Sequence, residues 1–296
     1  MVTEEIVYLN GSLIPRFQAR VSAFDHGFLY GYGLFETMRA YHGTIFLLDR
    51  HLKRLLDAAA VIGLGSKLAD IDLGKACRDT LKANGLPEAR LRLTVTRGEV
   101  ASFPGSSNTV TPTVLVTATG YSAMPAQVYD TGFKAGVSSF RRYSQSLLSR
   151  LKSANYLLSV LAKMEAEAAG LDEALLLNER GFITEGSISN VFFVAHSGLI
   201  TPPLESGILP GITREVLMEL ADTLGMNVRE VDIRLEELKQ FDEAFLTNSV
   251  MELMPLVEVR DKAGKVITIG SGKPGKITQR LISAYREMVE RETAPK

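Results

Sequence analysis

"RLKSANYLLSVLAKMEAEAAG", residues 150–170, is the stretch on which the reading of the chain turns. Ala154, Leu157, Leu158, Leu161, Met164 and Ala168 recur at three- and four-residue spacing, which predicts a helix with one stripe facing a core and Lys152 in its first turn. An ammonium at that end meets the partial positive charge of unsatisfied N–H groups, so it is less stable there than at a helix C-terminus. Two explanations remain open from this stretch alone. Lys152 points into water, or it is a reactive amine whose pKa a positive neighbourhood lowers, a nucleophile toward carbonyls.

The chain's 296 residues, 46% of them hydrophobic, are enough for two domains or one large one with true cores. Thirty-three Lys and Arg stand against thirty-four Asp and Glu with no block of like charge, which disfavours nucleic-acid and membrane partners and favours small molecules. The single cysteine, Cys77, lies in an amphipathic helical pattern, where it packs as a small hydrophobe and fits a reducing compartment. "MVTEEIVYLNGSL" is acidic where a secretory signal would be basic, and no apolar run reaches membrane-spanning length, so the expected location is cytoplasmic. His26, His42, His51 and His196 form no ligand-spaced cluster, and no metal is expected.

Short strand-like runs fill the first 48 residues, turning at Asn10-Gly11 and His42-Gly43 as hairpins do. "LDRHLKRLLDAAAVIG" then predicts a helix with Asp49 as N-cap, a buried stripe of Leu52, Leu55, Leu56, Ala59 and Ile62, and Gly63 as its stop. A second helix near 71–84 leads to strands in "ARLRLTVTRG" and "TPTVLVTATGY". "GYSAMPAQVYDTG", residues 120–132, lacks a clear period and reads as a linker between a domain at 1–119 and another at 133–296. The second half mixes strands ("GVSSF", "EALLLN", "SNVFFV", "EAFLTN") with three helices, so both halves are α+β.

Glu185, in "EALLLNERGFITEGSISNVFFV", interrupts an apolar strand. A carboxylate there is either solvated at the strand end or matched by a cation, such as the protonated nitrogen of a bound heterocycle. In "LPGITREVLMELADTLG", Pro210-Gly211 turns the chain into a helix beginning near Thr213, a ready anion site, although a simple cap would look the same. Thr247-Asn248-Ser249 is a second hydroxyl-bearing loop at a strand end. The glycines of "FDHGFLYGYGLFETMR" have neither nucleotide-loop spacing and lead into a strand, so they serve tight turns beside Tyr30 and Tyr32. Arg90 and Arg92 alternate with leucines and share one strand face, suited either to solvent or to bidentate carboxylate binding.

The lysine of "LKSANY", the glutamate of "ITEGSISN", "LPGITR", and "FLYGYGLFETMR" followed by "HLKRL", in this order, resemble the class IV aminotransferase family across nearly the whole chain. The resemblance implies a fold-type IV enzyme that uses pyridoxal 5′-phosphate, built as a homodimer. It implies an α+β chain of two domains, a small N-terminal α/β domain and a larger C-terminal domain with a β-barrel-like core. By resemblance Lys152 forms the Schiff base, Glu185 pairs with the pyridine nitrogen, Arg54 binds phosphate with Ile212, Thr213 and Ser249 completing the cup, and Leu209 and Gly211 also bind the cofactor. Tyr156, one helical turn beyond Lys152, reaches the cofactor's phenolic oxygen, while Tyr30 and Arg92 face an amino or carboxylate substrate.

Within the family, "FDHGFLYGYGLFET" and the Asn-Ser of "TNSVMELMP" are most similar to the 4-amino-4-deoxychorismate lyase branch, where aminotransferases tend to carry Gly-Thr. "EVASFPGSS" lacks the Arg-x-His carboxylate trap of D-amino-acid aminotransferases. "ADTLG", "GITRE" and "KSANYLLSVLAKMEA" suit branched-chain aminotransferases equally, so an amino transfer to a 2-oxoacid stays open. A scaffold that had kept the fold without the chemistry would have no use for Lys152 and Glu185.

Overall fold

Alternation in the first 120 residues builds an antiparallel sheet whose buried row is supplied strand by strand. The computed structural model describes residues 4–99, 111–196 and 198–294. Its strands are β1 (Ile6–Leu9), β2 (Ser12–Pro15), β3 (Gly33–Tyr41), β4 (Thr44–Ile45), β5 (Ala89–Thr96) and β6 (Thr113–Gly120), in the order β2-β1-β6-β5-β3-β4. Helices α1 (His26–Tyr30), α2 (Leu48–Val61), α3 (Gly65–Leu68) and α4 (Leu73–Asn84) complete this part. Both expected hairpins form, with Asn10 and Gly11 at φ 48° and 98° and His42 and Gly43 at φ 52° and 77°, the left-handed pair that matches strand twist.

Leu91, Leu93 and Val95 of β5 pack with Leu34 and Met38 of β3 against Leu55 and Ala59 of α2 and Cys77 and Leu81 of α4. Burial pushes the Cys77 thiol up to about 12, so it is inert filler. Asp49 is not the N-cap of α2. That place belongs to Leu47, at φ 54°, because the β4–α2 connection turns through a left-handed residue, and Asp49 sits in the first turn instead. Of the expected stripe, Leu55 and Ala59 are buried, whereas Leu56 is exposed and His51 takes an inner place.

The second sheet has ten strands: β7 (Phe133–Arg142), β8 (Glu173–Asn178), β9 (Phe182–Gly186), β10 (Asn190–Ala195), β11 (Gly198–Thr201), β12 (Val228–Glu230), β13 (Ile233–Arg234), β14 (Glu243–Asn248), β15 (Glu252–Arg260) and β16 (Val266–Thr268). It is a curled half-barrel in which β7 lies parallel to both β8 and β15. Its helices are α5 (Ala126–Thr131), α6 (Leu147–Arg150), α7 (Leu157–Ala168), α8 (Ile212–Thr223) and α9 (Lys276–Thr293). Strand β8 is buried on both faces, Leu175 and Leu177 in the barrel core and Ala174 and Leu176 under α7, hence its unbroken apolar run.

The chain divides into two units, and the division is not a single cut. The first holds Met1–Ser122 with Leu151–Asn155 and Val289–Lys296, the second Ala123–Arg150 with Tyr156–Met288. Residues 120–132 are not a linker throughout, since 126–131 form α5, from which Val128 and Tyr129 pack on the second core.

Two expectations for 150–170 are corrected. The helix starts at Leu157, and Lys152 lies before it in an extended segment, because the backbone there satisfies open groups on the edge of β3. The stripe facing the protein's own sheet consists of Ser159, Ala162 and Ala166, small residues that let helix and sheet approach closely. Leu157 (68%), Val160, Leu161 and Met164 (58%) are exposed. Two apolar stripes share this helix, and periodicity alone does not rank them. Among the described residues no helix is long and apolar enough to cross a membrane.

Candidate functional site

Backbone pairing, and no helix cap, fixes Lys152. The Phe35 N–H donates to the Lys152 carbonyl at 2.9 Å and the Ala154 N–H to the Gly33 carbonyl at 2.8 Å. The Asn155 amide donates to the Gly31 carbonyl at 2.9 Å, and Gly31, at φ 65°, could not carry a Cβ without striking that amide. Lys152 Nζ then stands 4.7 Å from the Phe35 ring centroid, and the Arg92 guanidinium 3.8 Å from the same ring. Lys152 and Arg92 are thus brought together on one aromatic side chain. Tyr30 is half exposed, with its ring edge-on to His26 at 5.0 Å.

Arg54, assigned to phosphate by resemblance, has a partner that sequence reading missed. Its Nε and Nη2 donate to Oε1 and Oε2 of Glu36 at 2.8 and 2.5 Å, and His51 Nδ1 meets Oε2 at 2.7 Å. Burial works to raise the Glu36 carboxyl, but the Arg54 charge and the His51 hydrogen bond outweigh it and hold the group at about 2. Burial, joined by the charges of Arg54 and Lys152, pushes the His51 imidazole below its ordinary value against the pull of Glu36, so the neutral ring donates from Nδ1.

The folded value of Glu36 lies below the ordinary 4.5, so its contribution to stability is complete above that pH and disappears as the pH falls toward 2. The loss should be on the order of 3 kcal/mol. Acid unfolding followed by circular dichroism should therefore be shallower for Glu36→Gln than for the wild type, and equal pH slopes would count against this.

In the second unit Glu185, on β9, is buried and matched by a cation. Arg142 Nη1 lies 2.9 Å from its Oε1, and its Oε2 accepts from Asn190 Nδ2 and the Leu209 N–H, both at 3.0 Å. Asn190 organises this corner, since its amide also donates to the Leu209 carbonyl at 3.0 Å and its Oδ1 crowds Gly211, where a Cβ would collide. Gly211 opens α8 without a capping side chain, leaving the first-turn N–H groups of Ile212 and Thr213 at a positive helix end. Asn190 pairs in register with Thr247, whose buried Oγ1 has no partner among the described residues.

Tyr156 is the N-cap of α7, its hydroxyl 3.3 Å from the Ser187 carbonyl, and burial together with the Glu185 charge pushes its phenol up to about 12. Ser249 follows β14 in a turn that Asn248 holds, its Oδ1 accepting from the N–H groups of Val250 and Met251 at 2.9 and 2.7 Å. The structure therefore groups Glu185, Leu209, Gly211, Ile212 and Thr213 around Asn190.

Residues 33–259 match the sequence profile of the family described as amino-transferase class IV, about three quarters of the chain. This chain belongs to that family. As a class IV aminotransferase-family enzyme it depends on pyridoxal phosphate. It is 38% identical to a Methanocaldococcus jannaschii protein provisionally named branched-chain-amino-acid aminotransferase, over 95% of this chain and 96% of the other. It is 34% identical to aminodeoxychorismate lyase of Bacillus subtilis, over 96% and 95%. A branched-chain amino acid aminotransferase from T.th., solved with pyridoxamine 5′-phosphate, superposes with a TM-score of 0.87 at 30% identity, covering 100% of this chain and 97% of that one.

The residues of this class IV chain suit that cofactor. An anionic phosphate matches a helix end opened by glycine and an unpartnered buried hydroxyl at Thr247. A ring nitrogen matches a buried carboxylate, and an aldehyde matches a lysine amine. Sequence reading missed Glu36, His51, Arg142 and Asn190. One signal was available: Glu36 breaks the alternation of "LFETMRAY", and His51 and Arg54 stand one turn apart on the next helix. The stretch 99–107, where no Arg-x-His pattern occurs, lies outside the described residues except for Glu99.

Proposed function

We propose that this chain is a pyridoxal-phosphate-dependent lyase that converts 4-amino-4-deoxychorismate into 4-aminobenzoate and pyruvate. The observation that carries this reading is the Thr247-Asn248-Ser249 turn. Asn248 accepts two backbone N–H groups and donates to the Ile188 carbonyl at 3.2 Å, contacts that the glycine of the aminotransferase pattern could not make. The similarity to the Bacillus subtilis lyase supports it further.

When bound, the cofactor supplies a protonated ring that withdraws electrons from the substrate. Glu185 would keep the pyridine nitrogen protonated, and Arg142, Asn190 and Leu209 hold its carboxylate in place. Of the second unit, Ser249 and the N–H groups of Gly211, Ile212 and Thr213 would hold the phosphate and Tyr156 the phenolic oxygen; of the first unit, Arg54 would serve the phosphate. Lys152 would hold the cofactor by its aldehyde and would in turn serve as the base that takes the proton from the ring carbon bearing the substrate amine. The electron pair left behind aromatises the ring, the ether C–O bond breaks, and enolpyruvate takes up a proton to become pyruvate. Arg92 binds one substrate carboxylate through its fork of donors, and Tyr30 lines the approach.

Incubation with 4-amino-4-deoxychorismate and no 2-oxoacid should yield 4-aminobenzoate and pyruvate in equal amounts. Product that appears only when 2-oxoglutarate or pyruvate is supplied would overturn the lyase reading. It would install the second one, an aminotransferase of branched-chain or D-amino-acid type, which the 38% identity to the Methanocaldococcus jannaschii protein favours.

The exposed apolar stripe of α7, with Leu147 and Leu148 also exposed in the same unit, supports a homodimer as the working form. Light scattering that returned the mass of one chain would contradict it.

A further inference from the structure

We infer that Glu36 is a positioning residue that aims the Arg54 guanidinium at the phosphate of the cofactor, an inference that rests on the proposed role of Arg54. Leu34, Met38 and Ala40 occupy the row of β3 that faces the apolar core, and Glu36 stands in that row, wholly buried. A carboxylate is costly in such a row unless every oxygen is engaged. Here both are, by two parallel bonds from Arg54 and one from His51, side chains set one turn apart on α2.

An arginine on a helix surface samples many rotamers. Two parallel bonds to one carboxylate fix the guanidinium plane before any ligand arrives, so the ordering cost is met by the fold and not by cofactor binding. His51 fixes the carboxylate in turn, its Nδ1 2.7 Å from the Glu36 Oε2. A carboxylate present only to stabilise the fold would affect all ligands alike. One that aims a phosphate ligand affects only those that carry phosphate.

The test compares binding of pyridoxal phosphate with binding of pyridoxal, its phosphate-free analogue, to the full chain stripped of cofactor, by fluorescence titration. Glu36→Gln should weaken pyridoxal phosphate about tenfold or more and leave pyridoxal within about twofold, since only the aim of the guanidinium is lost. Glu36→Asp, which keeps the charge but shortens the reach, should fold and lower the same ratio, so the result does not depend on the glutamine variant being stable. Equal weakening of both ligands, or of neither, in the folded variants would overturn the inference. Arg54→Gln is the separate arm. If it leaves the ratio of the two affinities unchanged, the phosphate role of Arg54 fails and the inference with it. If it lowers the ratio while both Glu36 variants do not, only the inference fails.

Discussion

Replacing Lys152 by alanine is expected to lower the turnover number by roughly four orders of magnitude, because the proposed mechanism asks one amine both to hold the cofactor and to move the substrate proton. The fold should survive the change. The bonds that seat residue 152 run through its carbonyl and through the neighbouring Ala154 N–H, and alanine keeps them. Far-ultraviolet circular dichroism should thus be unaltered while activity disappears. In the wild type, borohydride should fix the cofactor to the peptide containing Lys152, and the yellow colour of the native protein should be lost on reduction. Label recovered on another lysine would sink the assignment.

Glu185→Gln should retain cofactor yet turn over about a hundredfold more slowly or worse, since an amide cannot keep the ring nitrogen protonated and the ring loses its capacity to withdraw electrons. The structure adds a second consequence. Arg142 is mostly buried, 2.9 Å from Glu185, and an amide there leaves its charge without a counter-ion, so thermal stability should fall as well. The two effects separate by measurement: cofactor content and melting temperature report the ion pair, and kcat at saturating substrate reports the electron sink. Near-normal kcat with full cofactor content would remove Glu185 from its role.

The features legible in the sequence were those written in local spacing. Strand alternation at 89–96, the paired positive-φ turns at Asn10-Gly11 and His42-Gly43, and the glycine before α8 each follow from neighbours a few residues apart. Other features were not local. Lys152 leaves the helical state because β3, more than a hundred residues earlier, offers it backbone partners, and a window centred on 152 contains no sign of them. Glu185 read as a carboxylate in need of a cation. That the cation is Arg142, 43 residues upstream on β7, follows only from the parallel pairing of β7 with β8 and the antiparallel pairing of β8 with β9. Helix α7 shows a third kind of failure. Its two apolar stripes differ in side-chain size, and the smaller one faces the sheet because close approach rewards alanine and serine over leucine.

The route of the chain through residues 151–155 also bears on the order in which the protein can be made. The edge of β3 near Gly33 and Phe35 is closed by a segment that leaves the ribosome some 120 residues later, and Val289–Lys296 joins the same unit last of all. The N-terminal sheet therefore cannot finish folding as it emerges. It must wait, with an open edge, for the stretch that carries the lysine, so completion of the first unit and delivery of its amine are one late event, governed by long-range loop closure and not by local helix formation.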